Sequence, residues 1–351
     1  MKVAFLPVYA NPYQRLLAEG LASQGVVVEM LDGLPSAAWL RARRGDVDIL
    51  HYHWLYGLYM ARYDTSRRTV AFLSRLRLAR ALGYRIVWTA HNILPHAVGY
   101  QAALRPLHVA LRRRMMRAAD AVIIHCEAGR RELLARFPRR GPTHVISIGS
   151  YAGVYPLTLT RAAARAALGL DADQFVYLFL GNVAAYKGLE RFVEVFQRRA
   201  GAGDVALIAG RNRDAALVRR LERAAAGDSR IRLWAQFIPD DEMQRFLLAA
   251  DVMVAPFERV LTSSSVMVGL SYGLPVIAPD LGCLPELIPL DAGMLYPATD
   301  PDALGSALID IKNSDILAMS AAARRVVDGL RWEDIGGQTA DVYRACLGKG
   351  V

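Results

Sequence analysis

The sequence predicts an α/β protein built from two tandem doubly wound domains, Rossmann-like in pattern, that face each other across a cleft. Three observations carry this. Short apolar runs of strand type alternate with amphipathic stretches of helical period. The alternation runs to about residue 150 and then begins again. The chain, at 351 residues, is long enough for two cores of ordinary size.

In the first half the strand-like runs are residues 2–8, 26–31, 47–51, 85–90, 121–125 and 144–148. Helical patterns lie between them near 12–24, 68–83, 101–118 and 127–136. The second half places strands at 175–180, 205–209, 231–234, 252–255 and 275–278. Its helices fall near 187–199, 214–226, 240–249 and 264–272. Strands that are apolar throughout imply parallel sheets covered on both faces. A joint around residues 149–160 gives domains over 1–152 and 160–330. The tail is helical over 314–328 and 332–347, and Trp332 and Tyr343 are placed to dock it. Ligands of such sheets sit beyond the carboxyl ends of the strands, so two facing domains place a site in the cleft between them.

No apolar run reaches the length of a membrane span, and the start continues directly as a strand rather than a signal peptide. Cys126, Cys283 and Cys346 are few, widely spaced and odd in number. They fit a reducing cytoplasm, with neither a disulfide framework nor a metal site. The net charge of +10 is uneven: residues 1–150 hold 22 basic against 9 acidic side chains. The excess clusters at Arg67-Arg68, at Arg75, Arg77 and Arg80, and at Arg112-Arg113-Arg114 with Arg117. Leu, Met, Val and Ala are interleaved with these arginines, which suits an anionic membrane surface or a lipid phosphate. A plain solvated face is the other reading, and no motif supports nucleic acid as a partner.

One stretch is chemically pointed. Only four of the 43 basic residues are lysine, and one of them, Lys187, stands in the turn Gly181-Asn182-Val183-Ala184-Ala185-Tyr186-Lys187-Gly188. An apolar strand precedes the turn and a helical pattern follows it. Strand, glycine turn, cation and helix start form an arrangement that holds a phosphate, through backbone N–H groups and a compact ammonium. An ordinary surface lysine would also fit that spacing. Thr262-Ser263-Ser264-Ser265 opens a later helix and offers hydroxyls, amides and a favourable dipole end. Helix capping would need only one of these hydroxyls. Arg211 follows the strand 205–209 as a second anion contact or as a partner of Asp214.

At this point the chain resembles the GT-B glycosyltransferases that use nucleotide-sugar donors. The segments that carry the resemblance are NPYQRLLAEGLASQG at 11–25, HYHW at 51–54, VWTAHNILPH at 87–96 and YAGVYP at 151–156. LGNVAAYKGL at 180–189, PFERVLTSSSVMVGLSYGLPVIAP at 256–279 and LPEL at 284–287 complete the set. Within that group the chain is most similar to bacterial polysaccharide and glycolipid enzymes of the xanthan β-mannosyltransferase type. The resemblance implies a donor on the second domain, an acceptor on the first, and a C-terminal helix, about 332–351, that crosses back to the first domain.

Three departures are visible. Many retaining relatives carry two glutamates eight positions apart, but here Val266 stands eight residues after Glu258, and Val268 stands where the second is expected by counting back from Gly273. Asn182 stands where relatives pair an arginine with the lysine, and Ile148-Gly149 replaces a common His-Gly. The first departure weakens a retaining assignment, and the second leaves one fewer cation on the diphosphate.

The expected donor set is Gly181, Asn182, Lys187, Arg211, Phe237, Ile238, Thr262, Ser263, Ser264, Ser265 and Glu286. Phe237 and Ile238 stand where relatives hold the base, and Glu286 would face donor hydroxyls or cap its helix. His91, Glu127 and Asp64 are the candidates for proton transfer, His91 first because it ends a strand and imidazole titrates near neutrality. Asn11, Tyr13, His53 and His96 are the candidates for the acceptor side. No metal site and no cofactor are expected beyond a GDP- or UDP-sugar co-substrate. The expected enzyme transfers a hexose or hexuronic acid to a lipid-linked or polysaccharide acceptor, with inversion, at the cytoplasmic side of the inner membrane. A non-catalytic sugar-nucleotide-binding subunit and a nucleotide-sugar epimerase are the alternatives.

Overall fold

A computed structural model describes residues 1–61, 63–95 and 103–348. The chain divides into two compact units, Met1–Gly149 with Leu330–Val351, and Ser150–Gly329.

The first unit carries a six-stranded parallel sheet in the order β2-β1-β3-β4-β5-β6. The strands are β1 Lys2–Leu6, β2 Val27–Met30, β3 Ile49–Tyr52, β4 Arg85–Thr89, β5 Ala121–Ile124 and β6 Thr143–Val145. Its helices before the linker are α1 Pro12–Ala22, α2 Ala37–Ala42, α3 Tyr56–Tyr59, α4 Thr65–Ala81, α5 Arg105–Ala118 and α6 Glu127–Arg136. β3 and β5 are buried at every position, as a central parallel strand requires. Asn11 caps α1 by accepting the Tyr13 N–H at 2.9 Å, and Pro12 supplies the preset first turn.

The last helix, Trp332–Cys346, belongs to this unit and lies across α1. Two glycines permit the crossing. A Cβ on Gly20 would stand 2.0 Å from the Trp332 carbonyl oxygen, and one on Gly336 would stand 2.3 Å from the Gly20 carbonyl carbon. Trp332 also covers Gly149, where a Cβ would meet its indole at 2.4 Å. Tyr343 reaches the centre of the sheet and is fully buried.

The second unit carries a six-stranded parallel sheet in the order β12-β11-β10-β7-β8-β9. These strands are β7 Phe175–Leu180, β8 Asp204–Ala209, β9 Ile231–Trp234, β10 Val252–Val254, β11 Val276–Pro279 and β12 Gly293–Tyr296. The helices are α7 Arg161–Ala167, α8 Leu189–Arg199, α9 Ala215–Ala226, α10 Met243–Ala249, α11 Ser264–Ser271, α12 Leu284–Leu287, α13 Ala303–Lys312 and α14 Ile316–Asp328, so that the helix Trp332–Cys346 is α15. β12 and the helices α2, α3, α7 and α13 were outside the sequence expectation. β12 is a four-residue edge strand that opens on Gly293, and so lacks the apolar run that marks the others.

Strand order reverses between β7 and β10, which are paired neighbours. Crossover connections leave to opposite sides at such a point, which opens a crevice beyond the carboxyl ends of the two strands. The loops that follow β7 and β10 hold Gly181–Lys187 and Thr262–Ser265, the two segments singled out by their composition.

Candidate active site

The loop after β7 is held by backbone geometry that only glycine meets at two points. Gly181 has φ +149°, and a Cβ there would stand 2.8 Å from the Ser265 Oγ. Gly188 has φ +68°, and a Cβ there would stand 1.9 Å from the Pro256 carbonyl oxygen. The Glu258 N–H donates to the Tyr186 carbonyl at 3.1 Å, and the Val183 N–H to the Arg211 carbonyl at 2.9 Å. The loops after β7, β8 and β10 are thereby fastened to one another.

Lys187 ends a short 3₁₀ turn, Ala185–Lys187, in this fastened loop. Its Nζ lies 3.9 Å from the centroid of the Phe257 ring and 5.1 Å from that of Tyr186. Among the described residues no carboxylate pairs with it. Burial pushes its pKa down to about 8, which leaves the ammonium mostly charged at neutral pH. A desolvated cation on aromatic faces, with no acid paired to it among the described residues, has the chemistry to bind an anion.

The hydroxyl run divides its labour. Ser263 caps α11, with its Oγ accepting the Val266 N–H at 3.3 Å. Ser264 hydrogen-bonds to the Tyr151 hydroxyl. Ser265 is the one against the Gly181 turn. Thr262 is half-buried just before the helix. Arg211 stacks on the exposed Phe237 ring at 4.6 Å, while Asp214 caps α9 through the Ala216 and Leu217 amides. Asn182 is exposed and its Oδ1 accepts from Arg213 at 3.4 Å. Ile238 is nearly buried next to Phe237, and Glu286 is exposed in the first turn of α12.

In the first unit, a row of histidines runs across the strand ends. His125 Nδ1 lies 2.9 Å from the Ile146 carbonyl oxygen. His125 Nε2 lies 3.1 Å from His91 Nδ1, and His91 Nε2 lies 3.2 Å from His53 Nδ1. A carbonyl only accepts, so the His125 Nδ1–H donates to it and His125 Nε2 keeps a lone pair. That lone pair accepts from the His91 Nδ1–H, and His91 Nε2 in turn accepts from the His53 Nδ1–H. Among the described residues, His53 Nε2 is left as a buried lone pair without a partner. Burial holds His53 and His91 well below the usual imidazole pKa and His125 down to about 4, so the row is neutral. His51 is bound separately, to the Tyr343 hydroxyl at 2.6 Å and to Thr89 Oγ1 at 2.7 Å.

This geometry bears on the proton-transfer candidates. Both ring nitrogens of His91 are committed, and acting as a base would require it to give up one of those bonds. Its ring face is covered by Trp54, stacked at 4.2 Å and 12°. Tyr13 packs edge-on against His53, His91 and His125, which makes it a wall of the row. Asn11 serves as the α1 cap. Glu127 opens α6 and is gripped by Arg130, whose hydrogen bond holds the carboxyl below its usual pKa and makes it a weaker base. Asp64 lies at the start of α4, 3.8 Å from Arg67. His96 lies outside the described residues.

Beside the row is a cavity of about 360 Å³, lined in part by Tyr9, Trp54, Tyr56, Trp88, His91 and Arg112. It sits beyond the carboxyl ends of β1, β3 and β4, and strand order reverses at β1 and β3.

Comparison with known proteins assigns the chain. One family model, described as Glycosyltransferase Family 4, matches residues 29–149, and a second, described as Glycosyl transferases group 1, matches residues 174–314. The chain belongs to the glycosyltransferases. A D-inositol 3-phosphate glycosyltransferase of Streptomyces avermitilis is 26% identical over 97% of this chain and 74% of its own length. A GDP-mannose:glycolipid 4-beta-D-mannosyltransferase of Xanthomonas campestris pv. campestris is 25% identical over 72% and 69%. Among solved structures, the sucrose-phosphate synthase of Thermosynechococcus elongatus superposes with a TM-score of 0.77 at 21% identity, covering 99% of each chain. The HepE protein of Anabaena, in complex with UDP-glucose, gives 0.75 at 16% identity over 98% and 100%. The fold of this glycosyltransferase is GT-B.

Several residues of the glycosyltransferase escaped sequence reasoning. Phe257, the platform under Lys187, reads in sequence as one more core aromatic. His125 carries no motif at all. Arg112 reads as part of a basic surface run, yet it is only 3% exposed while Arg113 and Arg114 face outward. Period alone could have signalled Arg112, since Leu111, Met115 and Met116 share its buried side of α5.

Proposed function

We propose that this glycosyltransferase moves a hexose or hexuronic acid from a nucleoside-diphosphate sugar to a lipid-linked or polysaccharide acceptor, with inversion at the anomeric carbon. The observation that carries the donor reading is the unpaired Lys187 ammonium in the same fastened loops as the Gly181–Ser265 contact. Rupture of the sugar–phosphate bond builds negative charge on the departing diphosphate. A preorganised ammonium and the amino end of α11 would stabilise that charge without reorganising. The UDP-glucose held by HepE and the GDP-mannose named for the Xanthomonas relative fit a GDP- or UDP-sugar here. The absence of the glutamate pair, whose second member would fall on Val266 or Val268 of α11, supports inversion.

The acceptor side of the reading rests on the first unit. Exposed Arg77, Arg80, Arg114 and Arg117 line a shallow groove with Leu73 and Leu76 between α4 and α5. Such a face would bind anionic lipid headgroups, so the enzyme would work peripherally at the inner membrane surface. Among the described residues no helix is long and apolar enough to cross a membrane.

A thermal-shift panel of nucleoside diphosphates and their sugars tests the donor assignment. One base is expected to raise the melting temperature by mass action, and its sugar conjugate to do so at least as strongly. NMR of the anomeric configuration of the product tests inversion. A panel without any shift would remove the donor reading.

A further inference from the structure

The outer edge of the first sheet is open. β2 ends that sheet, and β1 pairs with it in parallel, Lys2 opposite Val27 and Phe5 opposite Met30. The Val27 N–H donates to the Met1 carbonyl at 3.0 Å and the Leu31 N–H to the Phe5 carbonyl at 3.0 Å. Successive residues of a strand turn their backbone groups to opposite sides. Val28 and Met30 therefore turn theirs away from β1, and among the described residues nothing takes them up.

Native sheets blunt an edge with a short strand, a proline, a lysine or a bulge, because a bare edge pairs with another chain. The remaining edges follow that rule. β6 is only three residues long and comes directly after Pro142, and β9 and β12 have no exposed position. β2 has no proline, no lysine and an unbroken register, and Val27 and Met30 are 60% and 39% exposed. Beside the strand lies a shallow groove against α1, lined in part by Ala18, Ala22, Val26, Val28 and Met30.

Charge decides what fits there. The chain carries +10 with its excess in residues 1–150, so most of the first unit repels a copy of itself. The β2 edge is an exception. The ion pairs beside it join Lys2, Arg15 and Arg43 to Glu19, Glu29 and Asp46, three cations matched by three anions. They also suit a two-fold axis. Arg15 and Glu19 are one turn apart on α1, 2.7 Å from each other and more than half exposed. An axis that sets β2 antiparallel to its copy sets α1 antiparallel too, so each Arg15 comes to face the copy's Glu19. The same axis selects a register. Centred on Glu29, it would oppose two carboxylates, which is unfavourable. Centred on Val28, it opposes that valine to itself, and Glu29 meets the copy's Val27 while staying on Arg43.

We propose that two copies of this chain associate through β2, antiparallel about a two-fold axis at Val28, joining their first sheets into one continuous sheet. Each Val28 N–H donates to the copy's Val28 carbonyl. Each Met30 N–H donates to the copy's Val26 carbonyl, and the Val26 N–H is already given to Leu21 at 3.1 Å. Val26, Val28 and Met30 are covered by their copies, which removes the exposed apolar edge from water.

The test is the mass of the full chain by sedimentation equilibrium over a range of concentrations, with circular dichroism to follow folding. A reversible dimer is expected. Val28→Pro removes an outward N–H and sets ring atoms where the copy would lie, yet leaves the β1 ladder whole, as an edge strand tolerates. That variant should be a folded monomer. Arg15→Glu places like charges across the axis and should weaken the dimer about tenfold, since the axis doubles each contact. Combining it with Glu19→Arg should restore association, and this charge exchange decides the matter even if Val28→Pro does not fold. A chain that is monomeric at every concentration, or a dimer that Val28→Pro and Arg15→Glu both leave intact, overturns the proposal. So does an edge that captures a different protein while this chain stays monomeric.

Discussion

The Lys187 ammonium stands 3.9 Å from the centre of the Phe257 ring, with no carboxylate among the described residues to neutralise it. The contact joins the loop after β7 to the loop after β10, across the point where strand order reverses. A cation–π contact of this kind contributes about 0.5–2 kcal/mol. That only partly offsets the desolvation that lowers the pKa of the lysine.

Lys187→Met should therefore separate stability from function. The thioether keeps the aromatic contact and removes the charge. The variant without ligand is expected to melt about 2–5 °C higher at neutral pH. The stabilisation given by a nucleoside diphosphate should fall by more than tenfold in apparent affinity. Differential scanning fluorimetry with and without nucleotide reads both, and unchanged nucleotide affinity would contradict the anion role.

Nucleotide affinity should depend on pH with a defined sign. In the free protein Lys187 titrates at about 8. A bound diphosphate favours the charged form and raises that pKa. Binding is then at full strength below about pH 8 and weakens above it, by up to about tenfold per pH unit. Calorimetry between pH 7 and pH 9.5 should show proton uptake on binding at the upper end. A flat profile would mean that another cation, such as Arg211, takes the phosphate.

Gly181→Ala tests the cradle itself. The new methyl would face the Ser265 Oγ at 2.8 Å, and the backbone would have to hold φ +149° with a side chain present. Strain of this kind costs about 1–3 kcal/mol. Because the contact lies in the loops beyond the carboxyl end of β7, outside the strands themselves, the fold should survive with a lower urea midpoint, and nucleotide affinity should drop at least tenfold. Equal loss of stability with full nucleotide binding would detach Ser265 from the site.

The histidine row predicts acid sensitivity. His51 is held down to about 3 and His125 to about 4, and His53 and His91 well below 6.5, all by burial. The unfolded chain binds these protons near pH 6.5 and the folded one does not. The stability they protect is complete above about pH 6.5 and falls as pH drops from there toward 4. In His125→Phe the His91 Nδ1–H loses its acceptor, which should cost about 1–3 kcal/mol at neutral pH. The same variant should show a shallower decline between pH 6.5 and 4, measured by urea denaturation at fixed pH values.

Much of this was legible in the sequence. The β7 strand, the glycine turn and the α8 helix were readable because an apolar run, a forced turn and an amphipathic period each leave a local signature at Phe175–Leu180, Gly181–Gly188 and Leu189–Arg199. That the terminal helix docks was also readable, since Trp332 and Tyr343 are large side chains on an otherwise modest helix, whereas its return to the first unit was implied only by the family resemblance. The serine run was only half legible. Composition shows three adjacent hydroxyls, but α11 assigns one to capping, one to Tyr151 and one to the Gly181 turn. His91 was found by its place at a strand end, while the commitment of both its nitrogens depends on His53 and His125, which come from other strands.

By itself the sequence determined the two doubly wound sheets and the glycine-bounded turn around Lys187, because hydrophobic period and glycine placement act between neighbours in the chain. Only the tertiary structure decided which of the adjacent arginines 112–114 is buried, which ring lies under Lys187, and which histidine nitrogen is left unpaired. Those outcomes depend on side chains brought together from separate strands, and on how burial removes the water that would otherwise make all such groups alike.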